Sequence, residues 1–271
     1  MRSSKFNKLQ YNNSRLNTLI LVVSITCLIL YLPSIFFPIL SKSRTSMHND
    51  PSSSEPTSID HIVFGIASTA KSWPTRKEYI NMWWNHDKMR GCIFLDAPLD
   101  NDTFLDDNDS VMPPICISND TSRFGYTWDG GLRSAIRVAR VVSETVALNH
   151  TNARWFVFGD DDTLFFPDNL VKTLSKYDHN LWYYIGSNSE SYVQNRHFSF
   201  SMAYGGAGFA ISYPLAKVLS KVLDSCLERY THLYGSDGRI SSCLAELGVA
   251  FTNEPGFHQV IPSKNHPYPT S

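Results

Sequence analysis

The stretch from Arg154 to Phe166 constrains this chain more than any other. Arg-Trp-Phe-Val-Phe-Gly runs straight into Asp160, Asp161, Asp162 and Thr163, and then into Leu-Phe-Phe. An unbroken aromatic and β-branched run is the pattern of a strand buried on both faces, as in parallel sheets covered by helices. Gly159 ends the run. Three adjacent carboxylates then repel one another and resist burial without a partner. A strand tip of this composition calls for a cation, and its hard oxygen ligands suit Mg²⁺, Mn²⁺ or Ca²⁺ rather than zinc. The carboxyl ends of strands are where open α/β sheets bind ligands. Asp160 to Asp162 therefore read as an Asp-x-Asp metal site holding a diphosphate; the plainer alternative is a solvated turn before the helix opened by Pro167.

The rest of the body alternates in kind. Residues 61–69 and 91–95 and Ile115-Cys116-Ile117-Ser118 read as short strands, as does Trp182 to Gly186. Helices are expected from Pro74 to Trp84, after Gly131 with Leu132, Ile136, Ala139, Val142 and Val146 on one side, from Pro167 to Lys176, from Pro214 to Tyr230 and from Asp237 to Leu247. Strands alternating with helices predict an α/β fold, a mostly parallel sheet with helices on both faces. Gly205, Gly206, Ala207 and Gly208 hold too many glycines for a helix or plain strand, and mark a close backbone approach or a tight packing turn. No Lys-Ser or Lys-Thr follows them, which excludes a P-loop. Asp237 is either the N-cap of the helix after it or a reacting carboxylate.

The N-terminal part has a different character. No charged residue lies between Arg15 and Lys42. About 25 residues at ~1.5 Å each exceed the ~30 Å of a bilayer core. Arg2, Lys5, Lys8 and Arg15 precede this segment and no acidic residue does, so the start of the chain should stay cytoplasmic. A cleaved signal peptide would have a shorter apolar core and a small-residue cleavage site, so a single-pass signal anchor is the better reading. The expected organisation is a cytoplasmic tail (1–15), a transmembrane helix (16–40), a Ser/Thr/Pro-rich stem (41–59) and one lumenal domain (60–271). Sequons at Asn101, Asn108, Asn119 and Asn149 agree with a lumenal body. So does the even number of cysteines outside the span; we expect Cys92–Cys116 and Cys226–Cys243, one of three possible pairings. A net acidic body argues against nucleic-acid binding.

Residues 61 to about 259 resemble the fringe-like β-1,3-glycosyltransferases, most closely the plant membrane-anchored branch. The signatures are Ile66-Ala67-Ser68-Thr69 with Arg76, Trp155-Phe156 with Asp160-Asp161-Asp162, Gly205-Gly206-Ala207-Gly208, Gly235-Ser236-Asp237 and Phe257-His258. The resemblance implies a GT-A-type nucleotide-sugar-binding fold in a type II Golgi membrane protein. It also implies a UDP-sugar donor, Mn²⁺ (or Mg²⁺), and inverting transfer of a hexose to a hydroxyl of a glycan or glycoprotein acceptor. Within it, Ser68, Thr69, Arg76, Asp160 and Asp161 face the nucleotide, and Asp160, Asp162 and His258 face the metal. Gly205 to Gly208 lie on the acceptor side, and Asp237 is the general base. Two features depart from the pattern. The family's later acidic motif has two carboxylates in a row, where this chain has Asp237-Gly238. A later paired-His motif is absent and the pattern stops after Gln259, which reads as a shortened member in which His258 or His266 either takes that role or is an ordinary surface residue. A nucleotide-sugar-binding protein with weakened turnover is the rival reading.

Overall fold

The structure, a computed structural model, describes residues 21–27, 55–99 and 111–258. The chain divides into two units, Met1–Ser54 and Glu55–Ser271. Of the first, residues 21–27 are described, and they are helical. The tail, the remainder of the expected span, most of the stem, the sequons at Asn101 and Asn108, and His266 lie outside the described residues. Among those described, no helix is long and apolar enough to cross a membrane.

Among its described residues the second unit has seven strands: β1 (Ile62–Ala67), β2 (Arg90–Leu95), β3 (Ile115–Ile117), β4 (Trp155–Asp160), β5 (Tyr184–Gly186), β6 (Phe209–Ser212) and β7 (Phe251–Asn253). Their order is β3-β2-β1-β4-β6-β5-β7, and β6 alone runs antiparallel to its neighbours. The expectation of a mostly parallel α/β sheet is met. The helices between them are α1 (Trp73–Asn81), α2 (Ser134–Ala147), α3 (Pro167–Leu174), α4 (Tyr192–His197), α5 (Tyr213–Arg229) and α6 (Ser236–Glu246).

Strand alternation divides the apolar core in two. Val63, Phe156 and Phe158 point to the side of α2, α5 and α6, whereas Ile62, Phe64, Trp155 and Val157 point to the side of α1 and α3. Burial on both faces is why β4 reads as a continuous apolar run. The sheet order reverses where β4 leaves β1 on the side opposite β2. The parallel register sets Ala67 beside Asp160, so the loop after β1 meets the acid turn at this switch point. Both expected disulfides form, with Cα atoms 6.0 Å apart for Cys92–Cys116 and 5.9 Å for Cys226–Cys243. The second pins α6 to α5.

Some local expectations need correction. Leu132 precedes α2 and is exposed, because the helix begins only at Ser134. Trp182 is exposed and lies before β5. The glycine-rich stretch divides into a single 3-10 turn, Gly205–Ala207, and the buried strand β6. Gly208 joins them at φ 78°, and a Cβ there would lie 2.8 Å from the Phe165 ring, so a tight packing turn does account for this glycine.

Candidate active site

The acid turn is held by its own backbone. The Thr163 amide donates to the Asp160 carbonyl at 3.0 Å, and the Asp160 amide donates to Thr163 Oγ1 at 2.9 Å. Thr163 Oγ1 donates onward to the carbonyl of Gly206 at 3.1 Å, tying the acid turn to the glycine turn. A hydroxyl residue at such a turn is a recurrent device, and Thr163 is the residue by which the sequence could have shown it.

The three aspartates have different surroundings. Asp161 is 3% exposed and saturated. Ser68 Oγ and Ser72 Oγ donate to its Oδ2 at 2.6 and 2.8 Å, and Arg76 Nη1 donates to its Oδ1 at 2.7 Å. Ser68 is likewise buried, and Thr69 Oγ1 accepts from the Ser72 amide at 3.0 Å at the start of α1. Of the residues expected at the nucleotide, Ser68, Thr69 and Asp161 are thus engaged with the protein and brace the β1–α1 loop. Arg76 remains on the cleft wall, its side chain 45% exposed, with Nη1 also 3.3 Å from Asp162 Oδ2. Behind the sheet, α2 buries Arg137, whose Nη2 donates to the Ser68 carbonyl at 2.7 Å and whose Nη1 donates to that of Phe94 at 3.2 Å. It fixes the ends of β1 and β2, and the sequence reading missed it.

Asp160 ends β4 and is half-buried. Its burial and the negative charges of Asp162, Asp161 and Asp237 push its carboxyl up to about 7. Asp237 is carried by α6 beside Gly205; a Cβ on that glycine would lie 3.8 Å from the Asp237 Cβ. Burial raises the Asp237 carboxyl as well, against the opposing pull of the Gly238 and Gly205 amides. The Gly238 N–H donates to Asp237 Oδ1 at 2.8 Å. Asp237 is not the N-cap: the cap is Gly235, and Asp237 lies inside the first turn.

A cavity of about 700 Å³ opens beside the acid turn, lined among others by Arg76, Asp162, Phe165, Gly206, Ala207 and His258. It gathers Asp162, Arg76, His258 and half of the glycine turn into one cleft. Asp160 and Asp237 do not line it; Asp160, with Gly205 and Ser236, borders a small void of about 20 Å³ on the α2–α6 side. The expected Asp160, Asp162 and His258 metal set is not assembled: among the described residues no group of three His, Cys, Asp or Glu side chains is placed to hold a metal. His258 Nδ1 instead pairs with Glu190 Oε1 at 2.6 Å on the surface. Near Asp237, Tyr204 and Tyr234 continue into an exposed aromatic group in which Phe198 stacks on Tyr234 and Trp128 meets it edge-on. The sequence reading did not single these rings out.

Comparison with known proteins bears on this geometry. The model of a family described as a protein of unknown function, DUF604, matches residues 194–265. A β-1,3-glucosyltransferase of Mus musculus is 30% identical over 125 residues, which are 42% of this chain and 23% of that protein. The chain therefore spans only about a quarter of that relative's length. A mannosyltransferase from Pyrobaculum calidifontis, solved in complex with GDP-Man and Mn²⁺, is similar with TM-score 0.44 and 14% identity, over 77% of this chain and 58% of that one. The sequence match to a β-1,3-glucosyltransferase agrees with the resemblance to the fringe-like β-1,3-glycosyltransferases that the residue signatures carry.

Proposed function

We propose that this chain is a metal-dependent inverting glycosyltransferase, moving a hexose from a UDP-sugar to an acceptor hydroxyl on a GT-A-type fold. The observation that carries the reading is the charge imbalance at the acid turn. Asp160 is held up to about 7 by burial first and then by the charges of Asp162, Asp161 and Asp237, with Arg76 opposing them. A divalent cation would relieve that imbalance. Asp160 and Asp162 would hold one as a two-carboxylate site, which suits an ion such as Mg²⁺ that keeps waters and takes substrate phosphates. His258 is not needed for it. When bound, the ion would neutralise charge developing on the leaving diphosphate.

The chain's own groups do the rest. Arg76 offers a fixed cation on the wall of the cleft, its fork oriented by Asp161. Asp237 accepts the proton of the acceptor hydroxyl. A carboxylate raised by burial is a stronger base than a solvated one, which suits that task near neutral pH. The glycine turn supplies a low wall on the acceptor side, with Tyr204, Tyr234 and Trp128 beyond it as faces on which sugar rings can stack. The N-terminal segment would anchor the enzyme as a type II protein of the Golgi membrane, with this domain lumenal; the two disulfides support an oxidising compartment.

A second reading has its own support. Gly238 stands where a second carboxylate is expected, and this favours a nucleotide-sugar-binding protein with slow turnover. The test is to titrate UDP with and without Mn²⁺, then follow UDP release from UDP-galactose, UDP-glucose and UDP-N-acetylglucosamine. Mn²⁺-dependent UDP affinity with donor turnover supports the transferase. Affinity without turnover supports the binding protein, and absence of Mn²⁺-dependent affinity overturns both.

A further inference from the structure

Trp128, His197, Phe198 and Tyr234 form a closed circuit of aromatic contacts at the surface. Trp128 meets Tyr234 with ring centres 5.9 Å apart, and Tyr234 stacks on Phe198 at 5.5 Å. Phe198 meets His197 at 4.7 Å, and His197 returns to Trp128 at 6.4 Å. Each ring has two neighbours in the circuit, so none can swing away alone. Yet Trp128, Phe198 and Tyr234 remain 38%, 43% and 45% exposed. Rings locked in this way and still open to solvent mark a place of contact.

Trp128 lies between β3 and α2, Tyr234 lies between α5 and α6, and the two loops are bolted together. The Thr127 amide donates to the Thr231 carbonyl at 2.9 Å, and the Tyr126 hydroxyl donates to the Tyr234 carbonyl at 2.9 Å. Gly131 leaves room for that hydroxyl, since a Cβ there would run into it. Arg239 of α6 closes the joint and is fully buried. Its Nη1 donates to the Gly235 carbonyl at 2.9 Å and its Nη2 to the Thr231 carbonyl at 3.3 Å. The guanidinium carbon also lies 4.9 Å from the centre of the Tyr126 ring. A cation this deep is rare unless partners hold it there. Tyr204, at the head of the glycine turn, links the aromatic group to the acid turn: after burial, the charges of Asp237, Asp160 and Asp162 raise its hydroxyl. Tyr234 precedes Gly235, the N-cap of α6, and Asp237 lies in the first turn after it.

We propose that Trp128, Phe198 and Tyr234 bind a neutral pyranose next to the sugar whose hydroxyl meets Asp237, so that the acceptor is at least a disaccharide. Arg239 and Tyr126 are the positioning residues of this platform. An aromatic face takes the C–H face of a pyranose while the sugar hydroxyls stay in water. The carboxyls of Asp160, Asp162 and Asp237 disfavour an acidic sugar beside them. The role of Asp237 rests on the transferase reading; the contact between sugar and rings does not.

The test uses the full-length protein without donor or metal. Saturation-transfer NMR is read on methyl β-galactoside, methyl β-glucoside, lactose, N-acetyllactosamine and cellobiose. At least one disaccharide should take up several-fold more saturation than the methyl glycosides, and Trp128→Ala should cut that uptake several-fold. Tyr126→Phe, which removes one hydroxyl and keeps the ring over Arg239, should weaken disaccharide affinity by about 3–10-fold. Mn²⁺-dependent UDP affinity should be unchanged in both variants. In turnover both should raise the acceptor KM and leave kcat near the parent value, a split that loss of folded protein does not produce. No uptake by any of these sugars, or uptake unchanged in Trp128→Ala, overturns the platform. Unchanged affinity in Tyr126→Phe overturns its positioning role. Uptake without donor turnover keeps the platform and overturns the transferase reading alone.

Discussion

The acid turn lies between two walls that are built by different means. On one side, the β1–α1 loop and the acid turn are joined by side chains: Ser68, Ser72 and Arg76 converge on Asp161, and each bond is 2.6 to 2.8 Å. On the other, Asp237 is steadied by backbone amides, Gly238 contributes no side chain, and His258 turns to Glu190 at the surface. A saturated network fixes geometry before a ligand arrives. A carboxylate held by the main chain keeps the capacity to take up a proton. The first wall suits gripping a donor, and the second suits reacting with an acceptor.

The comparison can be broken most sharply at Asp162. Changes outside the ligand shell already cost ~10–100-fold in metal affinity. Losing a ligand should therefore cost at least about 100-fold. Asp162→Ala is expected to abolish the Mn²⁺ dependence of UDP binding in calorimetry while leaving the metal-free melting profile nearly unchanged. Next comes the covalent tie of the second wall. Replacing Cys226 and Cys243 by Ser opens a bridge with a sequence separation of 17. Urea denaturation should show a loss of about 3 kcal/mol, as for loops near that length. Arg76→Ala should cost less, about 1–3 kcal/mol, because Asp161 keeps its two hydroxyl donors while the guanidinium it loses was half in solvent. If Arg76→Ala were neutral in stability and in UDP affinity, the first wall would not be the fixed one.

Proton linkage offers a finer probe. Folded Asp160 keeps its proton up to about 7, while the unfolded group releases it near 3.8. Between those values the folded state binds more protons, so this group makes stability fall as pH rises. Asp160→Asn in metal-free protein should therefore raise the denaturation midpoint at pH values of about 7 and above, and change it little near pH 4. A midpoint unchanged at both pH values would mean that Asp160 is not strained by its neighbours.

What was legible follows from range. β4 and its acid turn could be read locally, because burial on both faces and charge adjacency are properties of consecutive residues. Arg76 was picked out by resemblance, yet its partner Asp161 is 85 residues away, and Ser72 and Asp161 are 89 apart. No periodicity reports such pairs. β5 and β7 have three residues each, too few for alternation to show, and β7 went unread. β6 was hidden by the glycines in front of it. His258 was assigned to a metal by its place in a motif, but its surroundings depend on where residues 187–191 fold, and there Glu190 takes its Nδ1.

The smallest expected effect is also the one that separates the two walls by role. A Cβ at Gly238 would meet nothing closer than Leu233 Cδ1 at 4.0 Å, and the position lies in the first turn of α6. A carboxylate there is favoured by the helix dipole by about 0.3–1 kcal/mol. Gly238→Asp should therefore fold at least as well as the parent, so its kinetics can be read without a stability correction. It also adds negative charge next to Asp237, which raises that carboxyl further and should move the acid limb of the rate profile to higher pH. Faster release of UDP from the donor sugar, with UDP affinity unchanged, would place the rate limit on the second wall. An unchanged rate with a shifted pH limb would show that Asp237 takes the proton alone. An unchanged rate and an unshifted limb would remove Asp237 from the reaction, leaving the first wall as a binding site without a catalytic partner.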